Sequence, residues 1–265
     1  MRSRKTLVVV SALGMVLGVA TASRAATIYT WQSTGGTDWN TSGNWDVGGV
    51  PVDEHAGQAG LNGDMTIIFN GTVMPTANVP GMAGLNGPQT YNTPILDLRS
   101  GGALTIDYVG GNDGLWINRS APETLLIVGD GIGGPDDVTL NVTGGLQLIR
   151  HTGGGPFTTV VNSDGKLVVQ NELQLSYIPN RFSILDINGG SVEVGNNLRG
   201  VLYVSNDAPQ SRIEIKDKGS VTVGGAVVNF LRSGSENPHV VVDLHDPNGT
   251  FTADFGGDFA DIAAV

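Results

Sequence analysis

The residues of this chain best suited to chemistry are its imidazoles and carboxylates, and one short segment brings both together. His239-Val-Val-Val-Asp-Leu-His245 has the composition of a metal site. In an extended strand, alternation puts His239, Asp243 and His245 on one face and Val240, Val242 and Leu244 on the other. Imidazole with carboxylate suits zinc or another borderline divalent ion. Asp243 and His245 would stand about 6.6 Å apart along such a strand, so a shared ion requires particular rotamers. A solvated polar strand face accounts for the same residues. Asp254, Asp258 and Asp261 have the composition of a calcium loop, but without the EF-hand spacing or its closing Glu.

The remaining acids invite a second chemistry. Glycoside hydrolysis needs two carboxylates at a defined separation, one with a raised pKa. Asp97, Asp186, Glu214 and Asp243 are available for pairing, yet no repeat gathers Asp with Lys or Arg as a lyase would require. There is no Gly-x-Ser-x-Gly elbow and no phosphate loop. The chain has no cysteine, which excludes thiolate metal sites and a cysteine nucleophile. Trp31, Trp39 and Trp45 offer aromatic faces for sugar rings, although large aromatics are more often buried with the indole N–H satisfied locally. The expectation is therefore no catalytic residue and no cofactor, with His239, Asp243 and His245 as the weak metal candidates.

The elements that must position these residues are set by a returning phrase. Two alternating apolar residues lead into a Gly-rich turn, and two more follow. It reads Leu96-Asp-Leu-Arg-Ser-Gly-Gly-Ala-Leu-Thr-Ile106, then Leu140-Asn-Val-Thr-Gly-Gly-Leu-Gln-Leu148, then Leu185-Asp-Ile-Asn-Gly-Gly-Ser-Val-Glu-Val194. It returns from Ile213 to Val223 and from Val242 to Ala253, with a looser copy from Thr159 to Val169. The step between the first two copies leaves room for one degenerate copy, placed near Gly114-Leu-Trp-Ile117. Period-2 alternation predicts strands, and phrases recurring every 20–50 residues predict stacked repeats. The predicted fold is all-β, a right-handed parallel β-helix-like solenoid with an irregular Trp-rich N-terminal cap. An antiparallel β-sandwich uses the same turns and stays open as the alternative.

In this register Leu, Ile and Val point inward. Asp97, Asn141, Asp186, Glu214 and Asp243 share one outward column, and Thr105, Gln147, Val168, Glu193, Thr222 and Thr252 a second. Stacked carboxylates repel, so the first column should be splayed into water or bridged by cations.

The chain divides into a signal peptide over 1–25, a Trp- and Pro-rich cap region over 26–94 and solenoid repeats over 95–265. Arg2, Arg4 and Lys5 precede an apolar run from Leu7 to Ala20, and Ser23 and Ala25 are the small residues that a signal peptidase reads. No later apolar stretch is long enough to span a bilayer, so no membrane span is expected in the mature chain. The formal charge is −11, and loss of Arg2, Arg4, Lys5 and Arg24 makes it four units more negative. An acidic surface with no basic cluster disfavours nucleic acid.

Trp31, Asp38-Trp39-Asn40, Asn44-Trp45-Asp46 and Gly49-Val50-Pro51 together resemble the opening of secreted, Gly-rich β-repeat proteins of planctomycete-type bacteria. The units from Leu185 to Val194 and from Ile213 to Val223 are similar to autotransporter-associated β-strand repeats. The resemblance covers most of residues 28–253 and implies an exported β-helix-like protein without a known activity. The chain departs from that pattern in showing no Pro-Glu-Pro sorting tail and no dockerin before Val265. The functional expectation is a secreted or cell-surface structural or adhesive protein, with a polysaccharide-binding or polysaccharide-cleaving module as the alternative. Extracellular polysaccharide or cell-surface components are the partners that fit.

Overall fold

The computed structural model describes residues 27–46, 49–51, 65–80, 82–83, 95–106, 108–109, 115–116, 124–148, 157–176, 183–201, 211–225, 227–228, 240–253 and 262–264. Among them a single 3-10 turn, Ser42–Asn44, interrupts a chain otherwise made of strands, turns and irregular links. The main sheets hold nine, six and five strands, and apart from the first pair, Thr27–Trp31 with Met65–Phe69, strands neighbouring in each sheet are non-consecutive in sequence. Every neighbouring pair in them runs parallel.

The chain visits the sheets in rotation. Phe157–Asn162, Gly165–Val169 and Leu173–Ser176 lie in the first, second and third sheets. Ser183–Asn188, Ser191–Val194 and Leu198–Val201 repeat the circuit one layer on, and Ser211–Lys216, Ser220–Val223 and Val227–Val228 repeat it again. The protein is a parallel β-solenoid. A sandwich would fold each pair of strands back on itself, whereas antiparallel pairing among the described residues is confined to the isolated bridges Trp31–Trp45 and Asn162–Gly189.

Stacking in register turns the alternation into columns whose successive members lie about 4.8 Å apart. Phe69, Leu98, Val128, Val161, Ile187 and Ile215 follow one another along the interior of the first sheet. Leu104, Leu140, Leu167, Val192 and Val221 do the same along the second. All of these side chains are buried, and each fully buried aliphatic contributes about 1.5–3 kcal/mol relative to exposure. Leu244 continues the first column but is 40% exposed. The next strand, Ile262–Ala264, pairs as far as Val242, so no described residue of that sheet stacks over Leu244.

Two placements correct the sequence reading. Leu140 to Leu148 joins the second sheet to the third, one corner later than the other copies of the phrase. Asn141 consequently stands beside Thr105 and Val168, outside the acidic column, and Gln147 lies buried in the third sheet beside Gln174. The copy that fills the long first step is Thr124–Val128 followed by Val138–Val142, while Leu115–Trp116 belongs to the third sheet. A β-strand phrase reports alternation and a turn; it carries no mark of which corner of the coil it makes.

The first sheet also runs through the predicted 94/95 boundary, because Thr27–Trp31 pairs with Met65–Phe69 and that strand pairs with Ile95–Leu98. At this end Trp31, Trp39, Trp45 and Phe69 fill the interior.

Candidate functional site

On the first sheet the outward column reads Ile68, Asp97, Ile127, Val160, Asp186 and Glu214, with the backbone of Asp243 next in register. Two apolar residues therefore separate Asp97 from the other three acids. Asp97 accepts bonds from Nε and a terminal nitrogen of Arg99 at 3.1 and 2.8 Å. Lys216, one strand on, bridges the acids that do adjoin: its Nζ lies 2.8 Å from Asp186 and 3.1 Å from Glu214. Burial works to lower the Lys216 pKa, but the two carboxylates outweigh it and hold the ammonium above its ordinary value. The column is bridged by a protein cation, one of the two outcomes expected of stacked carboxylates.

Of the metal candidates, only His245 has a described side chain. His239 lies outside the described residues, as do Asp254, Asp258 and Asp261 and the side chain of Asp243. Asp243 is placed by its backbone beside Glu214. His245 is exposed and falls just past the end of Val240–Leu244, where its N–H donates to the Ile215 carbonyl at 2.9 Å. Among the described residues no three His, Cys, Asp or Glu side chains gather as metal ligands.

Trp31, Trp39 and Trp45 are interior. Trp45 packs edge-on against Trp31 and Trp39 with ring centroids 5.2 and 4.7 Å apart. Each indole N–H finds a carbonyl: Trp31 that of Val73 at 2.7 Å, Trp45 that of Trp39 at 2.9 Å, and Trp39 that of Pro51 at 3.5 Å. Their faces are committed to the core.

A site that the sequence reading did not single out lies at the corner between the first and second sheets. In most coils that corner is short, as at 163–164, 189–190 and 217–219. Between Thr124–Val128 and Val138–Val142 it swells to 129–137, Gly-Asp-Gly-Ile-Gly-Gly-Pro-Asp-Asp. This loop is pinned from beneath by Asp164, whose side chain belongs to the next coil and is only 1% exposed as a residue. Asp164 accepts the N–H of Gly131 at 2.7 Å and that of Asp130 at 3.2 Å, which compensates a carboxylate taken out of water. The approach is close enough that only glycine fits at 129: φ is +85°, and a Cβ there would sit 2.2 Å from an Asp164 oxygen. Asn162 donates to the Gly129 carbonyl at 2.7 Å, and Ser191 reaches Asp136 at 2.9 Å.

The pinned loop and the 99–102 turn border an open cleft of about 470 Å³, lined among others by Arg99, Thr72, Asp130, Ile132 and Asp137. The Asp130 and Asp137 carboxylates each accept one loop N–H, from Ile132 at 3.0 Å and from Gly134 at 2.5 Å. Arg99 is held above its ordinary pKa by its bond to Asp97 and further by the field of Asp97 and Asp130. The one signal in the sequence was the length and composition of 129–137, a Gly-rich interruption that breaks the repeat.

No family model, curated protein or solved structure matches this chain.

Proposed function

We propose that this protein is an exported, non-enzymatic β-solenoid that serves as a structural or adhesive element of the cell exterior. The observation that carries the reading is where its charges go. Lys216 joins Asp186 and Glu214, Lys166 lies 2.6 Å from Glu193, and Arg199 bonds Glu172. In each case a cation reaches a carboxylate on the neighbouring coil, so acids that a hydrolase would hold free in a groove are engaged in stitching coils together. Single surface pairs contribute about 0–1 kcal/mol, but repeated along a stack they favour one register. The predicted signal peptide over 1–25 and the resemblance to secreted Gly-rich β-repeat proteins support the external location. An exported chain without disulfides must be stabilised by its core, and the continuous aliphatic columns supply one.

Expression of the full chain in a secreting bacterial host, followed by fractionation and N-terminal sequencing, tests the location. A chain beginning at Ala26 in the medium or on the cell surface is expected; an intact Met1 retained in the cytoplasm or membrane overturns it. Incubation with neutral and acidic polysaccharides tests the absence of catalysis. Release of reducing ends or unsaturated products in proportion to protein would replace this reading with the polysaccharide-cleaving one.

A further inference from the structure

We propose that the corner cleft beneath the 129–137 loop is a binding site for a neutral hexose residue of a glycan. The choice of sugars as the ligands it meets rests on the external location proposed above; the site itself rests on geometry. The coil departs from its own repeat here, and the departure is rigidly held. Asp164, Asn162 and Ser191, from the next two coils, fix the loop through four hydrogen bonds of 2.7–3.2 Å. A loop held on a stacked scaffold is preorganised, which lowers the ordering cost of binding. The cleft's volume of about 470 Å³ lies within the range of about 300–1,000 Å³ typical of small-molecule sites.

The lining chemistry narrows the ligand. Asp130 and Asp137 both line the cleft, and each uses one oxygen, Oδ1 and Oδ2 respectively, to accept a loop N–H and keeps a second oxygen as an acceptor. Arg99 bonds Asp97 through Nε and one terminal nitrogen, leaving further N–H donors. A ligand suited to this set must both donate and accept at close spacing, as adjacent sugar hydroxyls do. Asp97 neutralises Arg99, so Asp130 and Asp137 leave the cleft negative. That field repels uronates, sialic acids and phosphates. Ile132 stands at the rim with 85% of its surface exposed, an apolar contact for the C–H face of a pyranose. Carboxylates gathered as metal ligands would point to a cation instead, but no such group of three occurs among the described residues.

Ligand-detected NMR and calorimetry on the full mature chain test the site, using glucose, galactose and mannose oligosaccharides, glucuronate and glucosamine as probes. Millimolar or tighter binding of at least one neutral oligosaccharide is expected, with glucuronate at least tenfold weaker. Asp130→Asn should weaken binding about tenfold and Ile132→Ser about threefold, both with unchanged melting temperature because neither side chain holds the core. Glucosamine, whose ammonium the negative cleft attracts, should bind at least as well as glucose; absence of binding by every neutral sugar, preference for glucuronate, or binding indifferent to both substitutions overturns the proposal. Cell-surface retention measured on the same variants separates the two readings. Retention that survives while sugar binding fails sinks the cleft and leaves the adhesive role standing; sugar binding by a chain that is never exported does the reverse.

Discussion

The N-terminal end and the middle of this solenoid fill the same cross-section in opposite ways. In the middle coils most interior positions are single aliphatic residues stacked in columns, interrupted by Phe157, Ser183 and Ser211 along the first sheet and by buried glutamines in the third. At the N-terminal end a few large rings do the filling, and Trp31 heads the column that continues as Phe69 and Leu98. The first arrangement is tolerant, because a lost methyl is felt mainly by adjacent coils. The second is not, because each indole also satisfies a carbonyl of an irregular segment. The Trp31–Trp45 bridge, with the bonds from Gln32 N–H to Asn44 O and from Asp46 N–H to Thr30 O, also covers part of the outer edge of Thr27–Trp31. An uncovered strand edge is a template for pairing with another chain. The aromatic end therefore stabilises the interior and blunts the edge together.

The contrast breaks most visibly at Trp31. Trp31→Ala removes a fully buried ring and leaves the Val73 carbonyl without its donor, so a loss of about 3–5 kcal/mol is expected by denaturant titration. Ile187→Ala in a middle coil should cost about 2–5 kcal/mol, with the loss of amide protection centred on neighbouring coils. Equal spreading of the two effects along the chain would erase the distinction drawn between the regions.

Backbone geometry separates the corners in the same manner. Gly189 has φ of +83°, and a Cβ there would approach the Asp217 carbonyl to 3.0 Å. Gly189→Ala should cost about 2 kcal/mol. One coil on, the equivalent corner holds Asp217 and Lys218 at φ +50° and +67°, both non-glycine residues in the left-handed region. Lys218→Gly relieves that strain at some entropic cost in the unfolded chain, and a net gain of about 0.5–1 kcal/mol is expected. A loss instead would mean that the Lys218 side chain holds the corner.

The comparison also shows what a sequence of this kind discloses. Alternation around Gly-rich turns was enough to read strands, parallel stacking and the inward set that includes Ile187 and Val192. It could not assign corners, since Leu140 to Leu148 and Leu185 to Val194 are chemically the same phrase used at different bends. The acidic column was read too continuously for the same reason. Its missing members, Ile127 and Val160, are apolar and look like core in one dimension, and only register puts them on the outer face. Gln147, Gln174 and Ser176 fail the other way: they are polar yet buried in the third sheet, where Gln174 donates to the Ser176 carbonyl at 3.2 Å. Beyond the Gly-rich interruption at 129–137 the cleft left no mark, because Asp164 sits in a turn, where an aspartate is expected to be solvated, and its burial depends on a loop some thirty residues earlier in the chain.

The smallest effect bears on the acids that do adjoin. Lys216 stands between Asp186 and Glu214, and replacing it with Met removes the one cation that joins the two carboxylates, while Arg212 stays 3.5 Å from Glu214. The side chains are partly exposed, so the loss should be about 0.2–1 kcal/mol. Its signature is the ionic-strength dependence. The native pair is attractive and is weakened by salt, whereas the variant's repulsion is relieved by it, so the gap between their melting temperatures should narrow as NaCl rises. The pH dependence follows from the raised Lys216 pKa. The stabilisation is complete below the ordinary lysine value of 10.5 and is lost as pH climbs through the higher folded value, so the two proteins should converge only in that alkaline range. Calcium at matched ionic strength should add little to the native protein, because an ammonium already occupies the space between the two carboxylates. A strong calcium response in the native chain, removed by chelator, would place a cation site elsewhere, and its persistence or loss in His245→Ala would decide whether the Val240–Leu244 strand carries it.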